Sequence, residues 1–425
     1  MPLQIASSIN VDQTSFFMTR LSRIKSSKSI CIFLPVAVLL CIFAMLSLRY
    51  MAWPNSSVYP TEWHITNFQM TSSTASTYEI TRNHPGQTCG FLTYQPIGRL
   101  GNQLFALVSA YGISHLTGRH FLTPRNLELE KYFDSKLFGG YSSLTSAGQL
   151  GLRQDGAWIT KANLPKLTTM DFNVSAGYMA TQMQLLKSRC SQSSFVLLTG
   201  YLQSWKYFRP FFFIYDRSSK RLEPLLRFKT EIRVKADQKL RDALSQYNQK
   251  TRSKWTSCTF IGVHARRGDL VNDTEKYPAS KSFLARAIRD FRQWHRERVS
   301  LRPLGHSVSS TQKPLEHSDS SNDCLLFVGL GGDYEWNREN FPTGDDVMVL
   351  PTTASDDEEQ AAAHDMAILA QCNHSVITVG TFGWWAAFLA QGRTIYQQEF
   401  AKAGTDFANR RLVPLDYYLP EWIPL

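Results

Sequence analysis

Thr259-Phe260-Ile261-Gly262-Val263-His264-Ala265-Arg266-Arg267-Gly268-Asp269 is the stretch on which the reading of this chain turns. Thr259 to Val263 form an apolar, β-favouring run of the kind buried on both faces of a parallel sheet. That run delivers His264, Arg266, Arg267 and Asp269 to a single loop. Two adjacent guanidiniums at a strand end can neutralise a pyrophosphate bidentately, Gly268 permits a sharp turn, and Asp269 can fix an arginine or a substrate hydroxyl. An Arg-Arg pair is ordinarily a solvated surface turn. Here the preceding strand, the glycine and the flanking histidine favour a phosphate site. Arg267-Gly268-Asp269 also spells a tripeptide read by adhesion receptors, but such a site needs a protruding loop, and this one leaves a buried strand directly.

Outward from that strand, the C-terminal half alternates. A helix over 281–299 shows Phe283, Leu284, Ala287 and Ile288 on one face. Strand 325–328 follows, ending in a loop over 329–333 that carries Asp333, and then helix 358–371, strand 376–379, the turn Gly380-Thr381-Phe382-Gly383, helix 384–390 and strand 394–396. Strands separated by helices predict a parallel sheet with its ligand at the carboxyl ends. The turn before Trp384 opens a helix, so the free amides around Gly383 and the Thr381 hydroxyl offer a second phosphate contact. Trp384 and Trp385 are assigned to packing. On the N-terminal side, strand 90–94, the loop Gly98-Arg99-Leu100-Gly101-Asn102-Gln103 and a helix marked by Leu104, Leu107, Val108 and Tyr111 make another βα unit. Strand 195–200 precedes an aromatic and polar stretch in which Trp205 and Tyr207 read as core residues. Residues 216–257 read as a charged, helical crossover, and the Ser-rich stretch 306–322 as an exposed insertion.

A chain of 425 residues exceeds one hydrophobic core, and 43% hydrophobic and 12% aromatic residues suffice to fill two. Of the formal charge of +11, residues 1–50 carry +4, from Arg20, Arg23, Lys25, Lys28 and Arg49 against Asp12, so the remainder keeps +7. That suits an anionic ligand. Despite a pI of 9.3, the chain has no basic helix, zinc-finger spacing or aromatic RNA-binding signature, so a small phosphate ester is expected rather than nucleic acid. Residues 30–48 are uncharged, apolar apart from Ser47, and about long enough to cross a bilayer, which predicts an anchor. The run is longer than a signal peptide's apolar part and lacks a small-x-small cleavage site. Its flanking cations put the tail, 1–29, in the cytosol and everything after residue 49 in the lumen, with 49–88 a Ser/Thr-rich stem. Acceptor patterns for N-glycans at Asn55, Asn173, Asn272 and Asn373 fit a secretory lumen. Outside the anchor, Cys89, Cys190, Cys258, Cys324 and Cys372 are compatible with disulfides and one thiol left over. No Cys/His cluster or Asp-x-Asp is present, so no metal is expected, and Arg266 with the helix start must compensate the charge.

The motifs Gly98-Arg99-Leu100-Gly101-Asn102-Gln103, His264-Ala265-Arg266-Arg267-Gly268-Asp269, Gln371-Cys372-Asn373-His374 and Gly380-Thr381-Phe382-Gly383-Trp384-Trp385-Ala386-Ala387 occur in the order seen in galactoside α-1,2-fucosyltransferases. The chain resembles that glycosyltransferase family 11-like group, as an invertebrate-type member, over about residues 89 to 400; Tyr418-Leu419-Pro420-Glu421-Trp422 is similar to the close of its animal members. The His-x-Arg-Arg-x-Asp element is shared with α-1,6- and protein O-fucosyltransferases. The resemblance implies an α/β fold of two Rossmann-like lobes (GT-B type) behind a transmembrane helix, with an acceptor-side lobe over 89–250 and a GDP-fucose lobe over 251–425. It further implies a type II Golgi membrane enzyme that moves L-fucose from GDP-β-L-fucose to the 2-hydroxyl of terminal galactose on a glycan, inverting and without metal or cofactor. Arg266 would bind the β-phosphate and stabilise departing GDP, beside Arg267; His264 and Asp269 would shape the donor pocket; Arg99 and Asn102 would contact donor or acceptor from the other lobe; Asp333 would reach guanine. The loop over 329–333 and the insertion over 306–322 depart from the vertebrate pattern. Asp269, Asp273 and Glu275 are candidates for a general base by their nearness in sequence. Two other readings stay open: fucosylation at a different hydroxyl or on a protein, and a membrane-anchored glycan-binding protein that has lost catalysis.

Overall fold

The computed structural model describes residues 89–425 apart from 125–126, 136, 139–149, 155–156, 160–166, 174–175, 191–194, 217–220 and 301–323. These residues belong to one compact unit, Tyr78–Leu425. The expected anchor over 30–48, the stem and the insertion over 306–322 lie outside the described residues.

Two parallel sheets organise the chain. The first contains β1 (Phe91–Tyr94), β2 (His120–Phe121), β3 (Leu167–Phe172) and β4 (Phe195–Gly200) in the order β2-β1-β4-β3. Between β1 and β2 runs α1 (Leu100–Leu116), and α2 (Ala180–Ser188) precedes β4. After two short antiparallel excursions, Phe213–Asp216 with Arg221–Pro224 and Leu226–Phe228 with Phe133–Ser135, helix α3 (Thr230–Thr251) leads to the second sheet. Its strands are β5 (Thr259–His264), β6 (Leu325–Leu330), β7 (Val347–Val349), β8 (His374–Ile377), β9 (Thr394–Tyr396) and β10 (Ile423–Pro424). They lie in the order β7-β6-β5-β8-β9-β10, each neighbouring pair parallel. Helices α4 (Lys281–Ser300), α5 (Tyr334–Asn340), α6 (Glu358–Ala370) and α7 (Thr381–Ala390) make the crossovers. Strand order reverses direction between β5 and β8, and in an open parallel sheet that reversal leaves a crevice outside the carboxyl ends of the two strands.

One apolar core runs through both sheets. Leu92, Leu104 and Phe105 from the first half share it with Trp384, Trp385 and Phe388 of α7. The Phe105 ring centre lies 4.6 Å from that of Trp384 and 5.2 Å from that of Trp385, so the two tryptophans pack as expected. A second cluster under α4 joins Ile261 and Val263 to Phe283, Ile288 and Phe291. Tyr207 is fully buried, and Trp205 packs against the core beneath Arg209, whose guanidinium sits 5.5 Å from its ring. The C-terminal segment then returns to the first half: Ser204 donates to the Asp416 carbonyl at 2.7 Å, Tyr178 N donates to the Asp416 carboxylate at 2.9 Å, and Arg209 pairs with Glu421 at 2.6 Å. Disulfides Cys89–Cys190 and Cys258–Cys324 form, and the Cys372 thiol is left over and buried.

Several boundaries differ from the sequence expectation. Helix α1 begins at Leu100 and α7 at Thr381, so the supposed loops before Leu104 and Trp384 are first helical turns. Strand β6 runs to Leu330, which shortens its following loop, and β8 lies two residues earlier than expected. Helix α5 and strands β7 and β10 were not anticipated.

Candidate active site

The β5–β8 crevice is built by a short relay of backbone bonds. Thr378 N donates to the His264 carbonyl at 3.2 Å, and Arg266 N donates to the Thr378 hydroxyl at 2.7 Å. That fixes Arg266 at the mouth of the reversal, its stem beside Gly380, where an added Cβ would lie 4.0 Å from Arg266 Cγ. Its guanidinium pairs with Asp269. Burial lowers the Arg266 pKa from its usual value and repulsion from Arg99 adds to this, while Asp269 opposes both. A guanidinium remains cationic under such pressure, and it gains from any further anion. Arg99 itself is exposed and forms no ion pair with a described residue.

Two helix N-termini meet here. A Cβ on Gly101 in the first turn of α1 would fall 2.7 Å from Thr381 Oγ1 and 2.8 Å from the Thr381 carbonyl carbon, so only glycine permits this approach. The Thr381 hydroxyl donates to Asn102 Oδ1 at 2.9 Å, and Gln203 Nε2 donates to the same oxygen at 3.0 Å. The two ends are occupied differently. Leu100 N of α1 donates to Glu359 Oε2 at 3.0 Å, whereas no side chain caps α7. The first-turn amides of α7 therefore carry the partial positive charge of a helix start without a side-chain cap, worth about 0.3–2 kcal/mol to an anion that reaches it, with Gly101 packed against Phe382 N and Gly383 buried.

His264 forms the floor. It is 4% exposed, its ring centre is 4.9 Å from that of Phe382, and its Nδ1 has no hydrogen-bond partner. Gly383 makes this fit possible, because a Cβ there would lie 2.6 Å from that nitrogen. Burial, and then the charge of Arg266, push the His264 pKa down to about 3, so the imidazole is neutral. A buried nitrogen without a partner is uncommon, and here the Gly383 backbone packs directly against it.

The structure thus brings Arg99, Asn102, His264, Arg266, Asp269, Thr381 and Gly383 together. It separates the arginine pair. Arg267 turns away to lie 4.1 Å over the Trp336 ring, donates to the Ala279 carbonyl at 3.3 Å, and meets Asp333 at 3.5 Å. Asp333 also accepts from Trp336 N at 3.2 Å as the N-cap of α5. Both residues hold the loop after β6. The other carboxylates noted near the β5 loop are engaged as well: Asp273 accepts from Glu275 N at 2.7 Å and Lys276 N at 2.8 Å, and Glu275 pairs with Arg411. Sequence reading missed Thr378, Gln203 and Glu359. Thr378 was hidden inside an apolar run, and Glu359 within an acidic stretch that reads as a solvated helix start. Among the described residues, no group of three or more His, Cys, Asp or Glu gathers as a metal centre.

Such a site can hold a dianion on the open α7 amides and Arg266, and can absorb charge that develops there. The sequence profile of glycosyl transferase family 11 matches residues 311–425. Galactoside alpha-(1,2)-fucosyltransferase 2 of Pongo pygmaeus is 29% identical over 346 residues, covering 80% of each chain. Galactoside 2-alpha-L-fucosyltransferase SEC1 of Bos taurus is 28% identical over 344 residues, covering 79% of this chain and 73% of its own. Among solved structures, Arabidopsis thaliana FUT1 bound to GDP aligns with a TM-score of 0.37 at 13% identity, covering 74% of this chain and 72% of the other. Fucosyltransferase NodZ from Bradyrhizobium aligns with a TM-score of 0.34 at 14% identity, covering 71% of this chain and 92% of the other. On the sequence matches, this chain is similar to glycosyl transferase family 11 over residues 311–425 and to galactoside fucosyltransferases over about 80% of its length.

Proposed function

We propose that this protein transfers L-fucose from GDP-β-L-fucose to the 2-hydroxyl of a terminal galactose on a glycoprotein or glycolipid glycan. The observation that carries the reading is the placement of Arg266 beside the uncapped start of α7, at the reversal of strand order. A leaving diphosphate needs charge compensation as its bond to the sugar breaks, and this juxtaposition supplies a guanidinium-bearing side chain beside a helix start. The relatives' names, as galactoside fucosyltransferases, supply the sugar and the linkage.

In this reading the chain is a two-lobed GT-B-type enzyme. The half from about residue 251 holds the nucleotide, with Arg266 on the β-phosphate, Thr381 and the α7 amides around it, and Asp269 orienting the guanidinium. The half over 89–250 presents Arg99 and Asn102 to the sugar and the acceptor. The reaction inverts the anomeric centre and uses no metal. The apolar run over 30–48 anchors the protein in the Golgi membrane as a type II protein with its catalytic part in the lumen. The test is incubation of the portion from about residue 50 with labelled GDP-fucose and a panel of glycan acceptors, with EDTA present. A product carrying fucose on the galactose 2-hydroxyl is the expected result; no transfer, transfer to another position, or dependence on added metal overturns the corresponding part.

A further inference from the structure

The carboxylates nearest in sequence to the β5 loop are spent. Asp269 pairs with Arg266, Asp273 is held by Glu275 N, Lys276 N and the Lys276 ammonium, and Glu275 serves Arg411 and Phe407 N. A different carboxylate stands at the junction. Glu359, in the first turn of α6, places Oε2 on Leu100 N, one residue from the Gly101 that touches Thr381. Its other oxygen makes no hydrogen bond with a described residue. Arg99 links the two sides, because its charge acts on both Arg266 and Glu359.

This arrangement divides the cleft by charge. The open α7 start and Arg266 form an anion-binding side; the α1 start, already filled by a carboxylate, repels phosphate and offers a proton acceptor. We propose that Glu359 is the general base that takes the proton from the acceptor hydroxyl. The assignment rests on the fucosyl-transfer reading above. In the step, the galactose hydroxyl oxygen bonds to the fucose anomeric carbon as that carbon's bond to the β-phosphate oxygen breaks. The electron pair leaves with GDP, and the hydroxyl proton passes to the Glu359 carboxylate and then to water.

The electrostatic setting favours the protonated form of this carboxylate more than water does. Around the carboxylate stand Arg99 at the start of α1, Glu128 and Tyr132 from the 3-10 turn Glu128–Lys131 and its end, and Asp357, the N-cap of α6. Burial, with the like charges of Glu128 and Asp357, raises the Glu359 pKa above its usual value against the pull of Leu100 N and Arg99. Activity should therefore fall as pH drops through a pKa above the usual glutamate range.

Replacement by Gln separates the two duties of the side chain, since its amide oxygen still accepts from Leu100 N but takes no proton. For Glu359→Gln the expected result is a fall in kcat of about 100-fold or more, with KM for GDP-fucose within about threefold and the acidic limb of the kcat profile gone. Its melting temperature should match wild type, whereas Glu359→Ala should melt earlier as well. Asp356→Asn, an exposed neighbour, should behave as wild type. If Glu359→Gln keeps kcat and its acidic limb, the residue is only a cap and the base role is overturned. Loss of GDP binding by Glu359→Gln in calorimetry would also overturn it, by showing that the residue positions Arg99 for the donor. A wild-type protein that fucosylates nothing overturns the transfer reading and this role with it, while transfer to another hydroxyl corrects the acceptor and leaves the Gln profile to decide the base.

Discussion

Arg266 and Arg267 are adjacent in sequence and do different things. Arg266 faces the open α7 start, so Arg266→Ala should lower kcat by about 100- to 1,000-fold with little change in melting temperature, and Arg266→Lys should recover only part because it lacks the planar fork. Arg267 is stacked on Trp336 and holds the loop after β6. Arg267→Ala should cost about 1–2 kcal/mol of stability and leave kcat within a few-fold, as read by urea unfolding and steady-state rates side by side. Equal catalytic losses from the two variants would refute the division. A second residue-scale consequence concerns acid. Burial, with neighbouring cations, pushes His264 down to about 3 and His374 down to about 4. Between pH 6.5 and those values the unfolded chain binds more protons than the folded one, so stability is present above pH 6.5 and is lost as pH falls. Glu359 and Asp365, whose pKa values are raised mainly by burial, act in the opposite sense. His374 lies at the far end of β8 from the cleft. His374→Gln should flatten the decline in urea midpoint between pH 6.5 and 4.5, and an unchanged slope would show that His374 takes up no excess protons on unfolding.

At the scale of elements, the site depends on α1 and α7 meeting end to end. Gly101→Ala would place a methyl group within 3 Å of the Thr381 backbone and hydroxyl. The helices must then part, costing about 1–3 kcal/mol and pulling Asn102 away from Thr381. The expected result is a kcat loss of at least tenfold together with a lower melting temperature; wild-type turnover would mean that the contact is incidental. The same contact explains what was legible in the sequence. Strands β5 and β6 announced themselves because a strand buried on both faces is an unbroken apolar run. The first turns of α1 and α7 read as loops, since glycine lowers helix propensity by about 1 kcal/mol, and nothing local reveals that a distant helix requires it there. Helix α5, Tyr-Glu-Trp-Asn-Arg-Glu-Asn, has no apolar stripe, and β7 is three residues long; both are held by the sheet beside them. Glu359 was invisible for a related reason: its partner, Leu100 N, is 259 residues away.

At the scale of the whole molecule, the two sheets do not have separate interiors. Phe105 and Phe208 from the first half interleave with Trp384, Trp385 and Phe388 from the second, and the C-terminal segment crosses back to Arg209 and Ser204. A length of 425 residues alone predicts two cores and independent lobes. The continuous cluster predicts cooperativity instead, because unfolding either half would expose aromatic surface of the other. Calorimetry on the portion from about residue 50, with disulfides intact, should show a single transition. Trp384→Ala removes a side chain that touches both halves and donates to the Tyr417 carbonyl at 2.8 Å. It should lower that one transition by the equivalent of about 3–5 kcal/mol without splitting it. Two transitions in the wild type, or a Trp384→Ala shift confined to one of them, would show that each sheet folds on its own and that the cleft is free to open by hinging.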